Sequence, residues 1–167
     1  MNILVLGVGN LLLSDEAVGV RIIEALAQRY RFSPTIDIVD GGTCGLALMD
    51  AMAGRDHLIV ADALLTGQAP GTVTVLRDRE VPALFTRKIS PHQLGLSDVL
   101  MALQLTDEFP QKLTLIGVEP ASLEVHIGLT ETVRQAMASA VQQVVAALRQ
   151  SGVTVSERCE VSNEQRI

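Results

Sequence analysis

Aromatic side chains are nearly missing: with one Tyr, three Phe and no Trp, they make up 2% of the 167 residues. Ring packing therefore cannot build the core. Leu, Val, Ile, Ala and Met must do so within a hydrophobic fraction of 48%, which favours α/β layering over an aromatic-rich β-sandwich. Cysteine is almost as scarce. Cys44 and Cys159 lie far apart and form no disulfide framework, which fits a reducing compartment. No apolar stretch approaches the roughly 20 residues of a membrane helix. The apolar start of the chain lacks a basic flank and a small-residue cleavage site, and Gly7-Val8-Gly9-Asn10 interrupts it, so it does not read as a signal peptide. Basic blocks are missing too: 13 Lys and Arg against 19 Asp and Glu leave a net charge of −6, without the electrostatic footprint of a nucleic-acid surface. The expectation is a cytoplasmic, soluble protein with no nucleic-acid or membrane partner, and nothing in the sequence demands a dimer.

What is present suits one domain with a real core, over residues 1–155, followed by a polar tail over 156–167. Ile3-Leu4-Val5-Leu6 closes on glycines and reads as a strand buried on both faces. Ala17 to Tyr30 places Val18, Ile22, Ala25 and Leu26 on one stripe of a helix. Thr35 to Val39 reads as a second strand, stopped by Asp40-Gly41-Gly42-Thr43, and Leu46 to Met52 as a short helix. The uniformly apolar Leu58-Ile59-Val60-Ala61 belongs at the sheet centre. Thr72 to Leu76 suits an edge strand running antiparallel, because no long helix precedes it.

Pro82 to Ile89 reads as irregular. Ser90 and Gln93 have capping-box spacing with Pro91 at the first helical position, although Gly95 argues for a start at Ser97. Leu113 to Val118 forms the fifth strand. Thr130 caps a helix to about Arg149, which Gly152 ends. Strands alternating with helices predict an α/β protein: a three-layer α/β/α sandwich around a mainly parallel five-stranded sheet with one antiparallel strand.

In such sheets ligands bind beyond the carboxyl ends of the strands. Glu16 follows strand one, Asp40 closes strand two, Asp62 closes strand three, and His92 precedes the helix leading to strand five. If the first three strands are parallel neighbours, their carboxylates emerge on one side. Carboxylates with an imidazole are ordinary ligands for nickel, zinc and related ions, and a helix N-terminus near His92 favours the neutral ring that a metal needs.

Each residue alone has a plainer reading. Asp15 or Glu16 could favour a helix N-terminus, Asp62 could form a turn, and His92 could be a surface residue. Only convergence at one edge lifts the functional reading. His57 begins strand three and falls at the opposite edge; His126, after strand five, falls on the correct side and ranks behind His92. Gly7 and Gly9 supply two of three dinucleotide-fingerprint glycines, but Leu12 stands at the third and carboxylates follow where phosphates should sit. Cys44 beside a glycine turn could be a nucleophile, though a small buried thiol is commoner. No Gly-x-Ser-x-Gly elbow is present.

Taken in order, Ile3 to Asn10, Asp15-Glu16-Ala17-Val18-Gly19-Val20, Asp40-Gly41-Gly42-Thr43, Asp62-Ala63, Ser90-Pro91-His92 and Gly117-Val118-Glu119-Pro120 resemble the hydrogenase maturation endopeptidases. The similarity is greatest to members that process the large subunit of uptake-type nickel-iron hydrogenases. It extends to about Val155 and leaves out the tail. The resemblance implies a single α/β/α domain that removes a C-terminal extension from the hydrogenase large-subunit precursor once nickel has been inserted. It implies that Glu16, Asp62 and His92 engage nickel brought by the substrate, and that Asp40 matters for cleavage. Gly41 and Gly42, with Thr43, would let an extended peptide approach the backbone. Two competitors stand beside this reading: a metallohydrolase with its own ion, and a nucleotide-binding or docking module built on Gly7 and Gly9.

Overall fold

The computed structural model describes residues 2–43, 45–87 and 94–158. Strand β1 (Ile3–Val8) lies inside a five-stranded sheet with β3 (Asp37–Gly42), β4 (His57–Ala63), β5 (Val73–Arg77) and β6 (Lys112–Val118), and β4 is its middle strand. Their order is β3-β1-β4-β6-β5; all neighbours are parallel except β5, which runs antiparallel on the edge of β6. Every residue of β4 is buried, as its unbroken apolar run requires.

Alternation along the strands sorts the core into two layers. Ile3, Val5 and Ile59 pack against α1 (Val18–Arg29) and α5 (Glu131–Gln150) through Ile22, Leu26, Val141 and Val144. Leu4, Leu6, Leu58 and Val60 face the other way, onto α2 (Met49–Met52), α3 (Glu80–Arg87) and α4 (Leu94–Leu105) through Met52, Val81, Val99 and Leu103. The result is the expected α/β/α sandwich. Thr130 caps α5, its hydroxyl accepting from the Val133 amide at 3.4 Å. Among the described residues, no helix is long and apolar enough to cross a membrane.

Four local expectations give way. The 82–89 stretch, expected to be irregular, is helical through Arg87: Pro82 falls in the first turn of α3, where its missing N–H costs no helical bond. Helix α4 is already formed at Leu94 rather than Ser97, so Gly95 sits in its first turn. The glycine turn does not stop the second strand, because β3 continues through Gly41 and Gly42 with an irregular register opposite Gly7 and Val8. Finally, Tyr30 leaves the helix for β2 (Tyr30–Ser33), which pairs antiparallel with β7 (Thr154–Glu157). Ser156 and Glu157, expected in the polar tail, are therefore paired strand residues. Four-residue strands carry too little periodicity to be seen; they form because α1 and α5 lie side by side and deliver their C-terminal ends together.

Candidate active site

β1 has β3 on one side and β4 on the other, so the winding reverses at its carboxyl end and a crevice opens there. Glu16 enters it on a 3₁₀ turn, Ser14–Ala17, directly before α1. Asp62 enters as the penultimate residue of β4. Two glycines make this approach possible. A β-carbon on Gly9 would lie 1.9 Å from the Glu16 carbonyl oxygen, and one on Gly19 would lie 2.1 Å from that of Ala61 and 2.4 Å from that of Val8. Gly9, one of the two fingerprint-like glycines, thus seats the carboxylate-bearing turn on the strand end, where a nucleotide pyrophosphate would have to sit.

Among the described residues, four buried carboxylates gather at this edge: Asp15, Glu16, Asp62 and Glu119. Asp15 accepts from the amides of Ala121, Ser122 and Thr130 and from the Thr130 hydroxyl, at 2.8 to 3.1 Å. Glu119 accepts from the amide and hydroxyl of Thr66 at 3.0 and 2.8 Å, and its backbone bonds Gly71 and Thr72. These two acids pin the loops after β4 and β6. Glu16 and Asp62 stand close enough for the charge of the first to act on the second. Burial pushes the Glu16 carboxyl up to about 7. Asp62 lies well above the usual carboxylate range, first through burial and then through the charge of Glu16, with the Ala63 amide opposing at 2.8 Å.

Two buried acids, one of them raised further by the charge of the other, are suited to a cation, whose charge offsets both the desolvation and the repulsion. Among the described residues no group of three His, Cys, Asp or Glu side chains could hold an ion. The pair offers two carboxylate groups, and any completing ligand comes from the incoming molecule or from residues beyond these.

The remaining candidates separate cleanly. Asp40 is exposed at the end of β3, where its Oδ1 accepts from the Gly42 amide at 2.9 Å. Asp40 and Ala61 both pair with Gly7 from opposite sides, which puts their backbones about 10 Å apart across the crevice. Gly41 is buried against Leu48 and Leu6, Gly42 accepts from the Gly9 amide, and Thr43 is exposed beside them. His92 and Cys44 lie outside the described residues. His57 is at the opposite end, its ring nitrogens 2.5 Å from Ser151 Oγ and 2.8 Å from Thr114 Oγ1. His126 is exposed, its backbone paired with Leu12 and Ser14. Sequence reasoning missed the supporting roles of Asp15 and Glu119. Their only signals were an acid beside Glu16 and a Glu-Pro step ending a strand.

Doubly wound topology with two buried acids at the switch point defines an α/β protein with an acidic crevice at the carboxyl edge of its sheet. The chain matches the hydrogenase maturation protease (HycI) family over residues 20–147, and it belongs to that family, as an endopeptidase. The hydrogenase 2 maturation protease of Escherichia coli (strain K12) is 64% identical over 159 residues, covering 95% of this chain and 97% of that one. The hydrogenase expression/formation protein HupD of Rhizobium leguminosarum bv. viciae is 45% identical over 161 residues, covering 95% and 79%. The solved structure of the E. coli hydrogenase maturating endopeptidase HybD superposes with a TM-score of 0.90 at 64% identity, covering 95% of this chain and 98% of that one.

Proposed function

We propose that this endopeptidase removes the C-terminal extension of a nickel-iron hydrogenase large-subunit precursor after nickel insertion, reading the substrate's own nickel at Glu16, Asp62 and His92. The observation that carries this reading is the buried Glu16 and Asp62 pair, each acid raised in pKa and the charge of one raising the other. A cation arriving with the substrate is favoured there, and its binding displaces protons from both acids. The protein itself contributes position: a docked ion fixes the peptide that follows it, turning an encounter into a local reaction.

Asp40 is the residue assigned to cleavage. Across the crevice from β4, it orients the hydrolytic water or the scissile peptide, while Gly41, Gly42 and Thr43 let the extended chain lie close to the backbone. Hydrolysis adds water across the peptide bond, so the proton leaving water ends on the departing amine. A single copy of the chain, in a reducing cytoplasm, suffices for this scheme.

The test is mass measurement of the released tail from precursor with and without nickel. Glu16→Gln and Asp62→Asn should each lower cleavage of the nickel-loaded precursor about 100-fold or more while remaining folded. Asp40→Asn should lose cleavage but retain nickel-dependent binding. Normal turnover by the first two variants, or equal cleavage of nickel-free precursor, would overturn the assignment.

A further inference from the structure

Beside the crevice, two loops meet in a flap. Leu13 and His126 form an isolated parallel bridge: the Leu12 carbonyl accepts from the His126 amide and the His126 carbonyl from the Ser14 amide, both at 2.9 Å. The Ser14 hydroxyl donates to the Glu124 carbonyl at 2.7 Å, and Asp15 holds both loops from beneath. A flap so firmly fastened should be polar outside. Instead Leu11 is 39% exposed, Leu12 57%, Val125 84% and Ile127 68%. Four of the six large exposed apolar side chains in the described residues thus lie on this flap, within five residues of Glu16 or on the loop bonded to it.

We propose that Leu11, Leu12, Val125 and Ile127 are the seat for an apolar segment of the hydrogenase precursor and determine its affinity. This rests on the reading that the precursor is cleaved at the Glu16 and Asp62 crevice. Two arguments favour that occupant over a second copy of the chain. A copy seated on the flap would border the crevice and obstruct the substrate. Moreover, four aliphatic side chains offer roughly 300 Å², well below the roughly 800 Å² per partner of a stable pair, yet suited to a substrate that must leave. Rigid support beneath the flap means that its order is not spent on binding.

The double variant Leu12→Ser and Ile127→Ser tests the proposal, since it keeps every backbone bond of the flap. On nickel-loaded precursor its KM should rise at least tenfold, with kcat within twofold of the parent and an unchanged melting temperature. Leu105→Ser is the matched control: it is 83% exposed but at the last residue of α4, toward the amino end of the sheet. It should behave as the parent. A KM within twofold of the parent in the double variant, an equal rise in Leu105→Ser, or a parent dimer that the double variant dissociates would each overturn the proposal. Should Glu16→Gln and Asp62→Asn cleave normally while the double variant still raises KM, the ion site falls and the docking seat stands.

Discussion

Buried titratable residues sit at both ends of the central sheet, and the two ends treat them in opposite ways. At the amino end His57 lies beside a cavity of about 170 Å³ lined by Asp78, Lys112 and Ser151, and each ring nitrogen meets a hydroxyl. Burial first, and then Lys112, depress its proton affinity against a weaker pull from Asp78, so the ring stays neutral and compensated. At the carboxyl end, Glu16 and Asp62 are buried with the charge of one raising the other. A neutral ring between hydroxyls has nothing left to gain from a ligand, whereas two acids forced together gain from any cation. Burial alone therefore does not mark a site; the character of the neighbours does.

Three measurements sharpen or break this contrast. The largest effect falls on an acid that is fully engaged: Asp15→Ala strips four donors of their acceptor and loosens the N-terminus of α5, at a cost of about 4 kcal/mol in urea unfolding. A cost below about 1 kcal/mol would show that Asp15 does not fasten the loops its donors belong to.

Glu16→Gln should do the reverse. With the folded carboxyl raised from 4.5 to about 7, the native state keeps a proton that the unfolded chain has lost, so the parent loses stability as pH climbs from about 4.5 to 7. At pH 8 the variant should be more stable than the parent by up to about 3 kcal/mol, and below pH 4.5 the two should coincide. A variant equally stable or weaker at pH 8 would mean that burial does not penalise the ionised Glu16 carboxyl.

The smallest effect is at the amino end, with the opposite slope. His57 binds its proton less readily when folded than the ordinary 6.5, so stability declines as pH falls below that value. His57→Asn should remove that acid limb of the thermal-melting profile, shift the neutral-pH stability by about 1 kcal/mol and leave precursor cleavage unchanged. Lost cleavage in a folded variant would join the two ends and break the comparison.

Much of this architecture was readable from residues alone, for a physical reason. The apolar run from Leu58 to Ala61 can be satisfied only inside a sheet covered on both faces, and a strand so placed must present Asp62 where it ends. Glu16 was legible in the same way, as the acid following a glycine-terminated strand. What stayed hidden depended on contact rather than pattern. Asp15 and Glu16 are neighbours of like charge, and nothing in the chain says which will meet four donors and which will face Asp62. Likewise β2 and β7 exist only because two helices happen to finish together, and α3 runs through a stretch whose proline suggested irregular chain.

The pairing of β2 with β7 has a practical corollary. Both strands follow helices that run back along the sheet, so Glu157 and the Arg158 amide, bonded to the Arg29 carbonyl at 2.8 Å, lie at the pole away from Glu16 and Asp62. A fluorophore or solid support coupled at the exposed Glu157 position departs from the rear of the molecule, so the peptidase can be tethered there with its mouth facing the bulk.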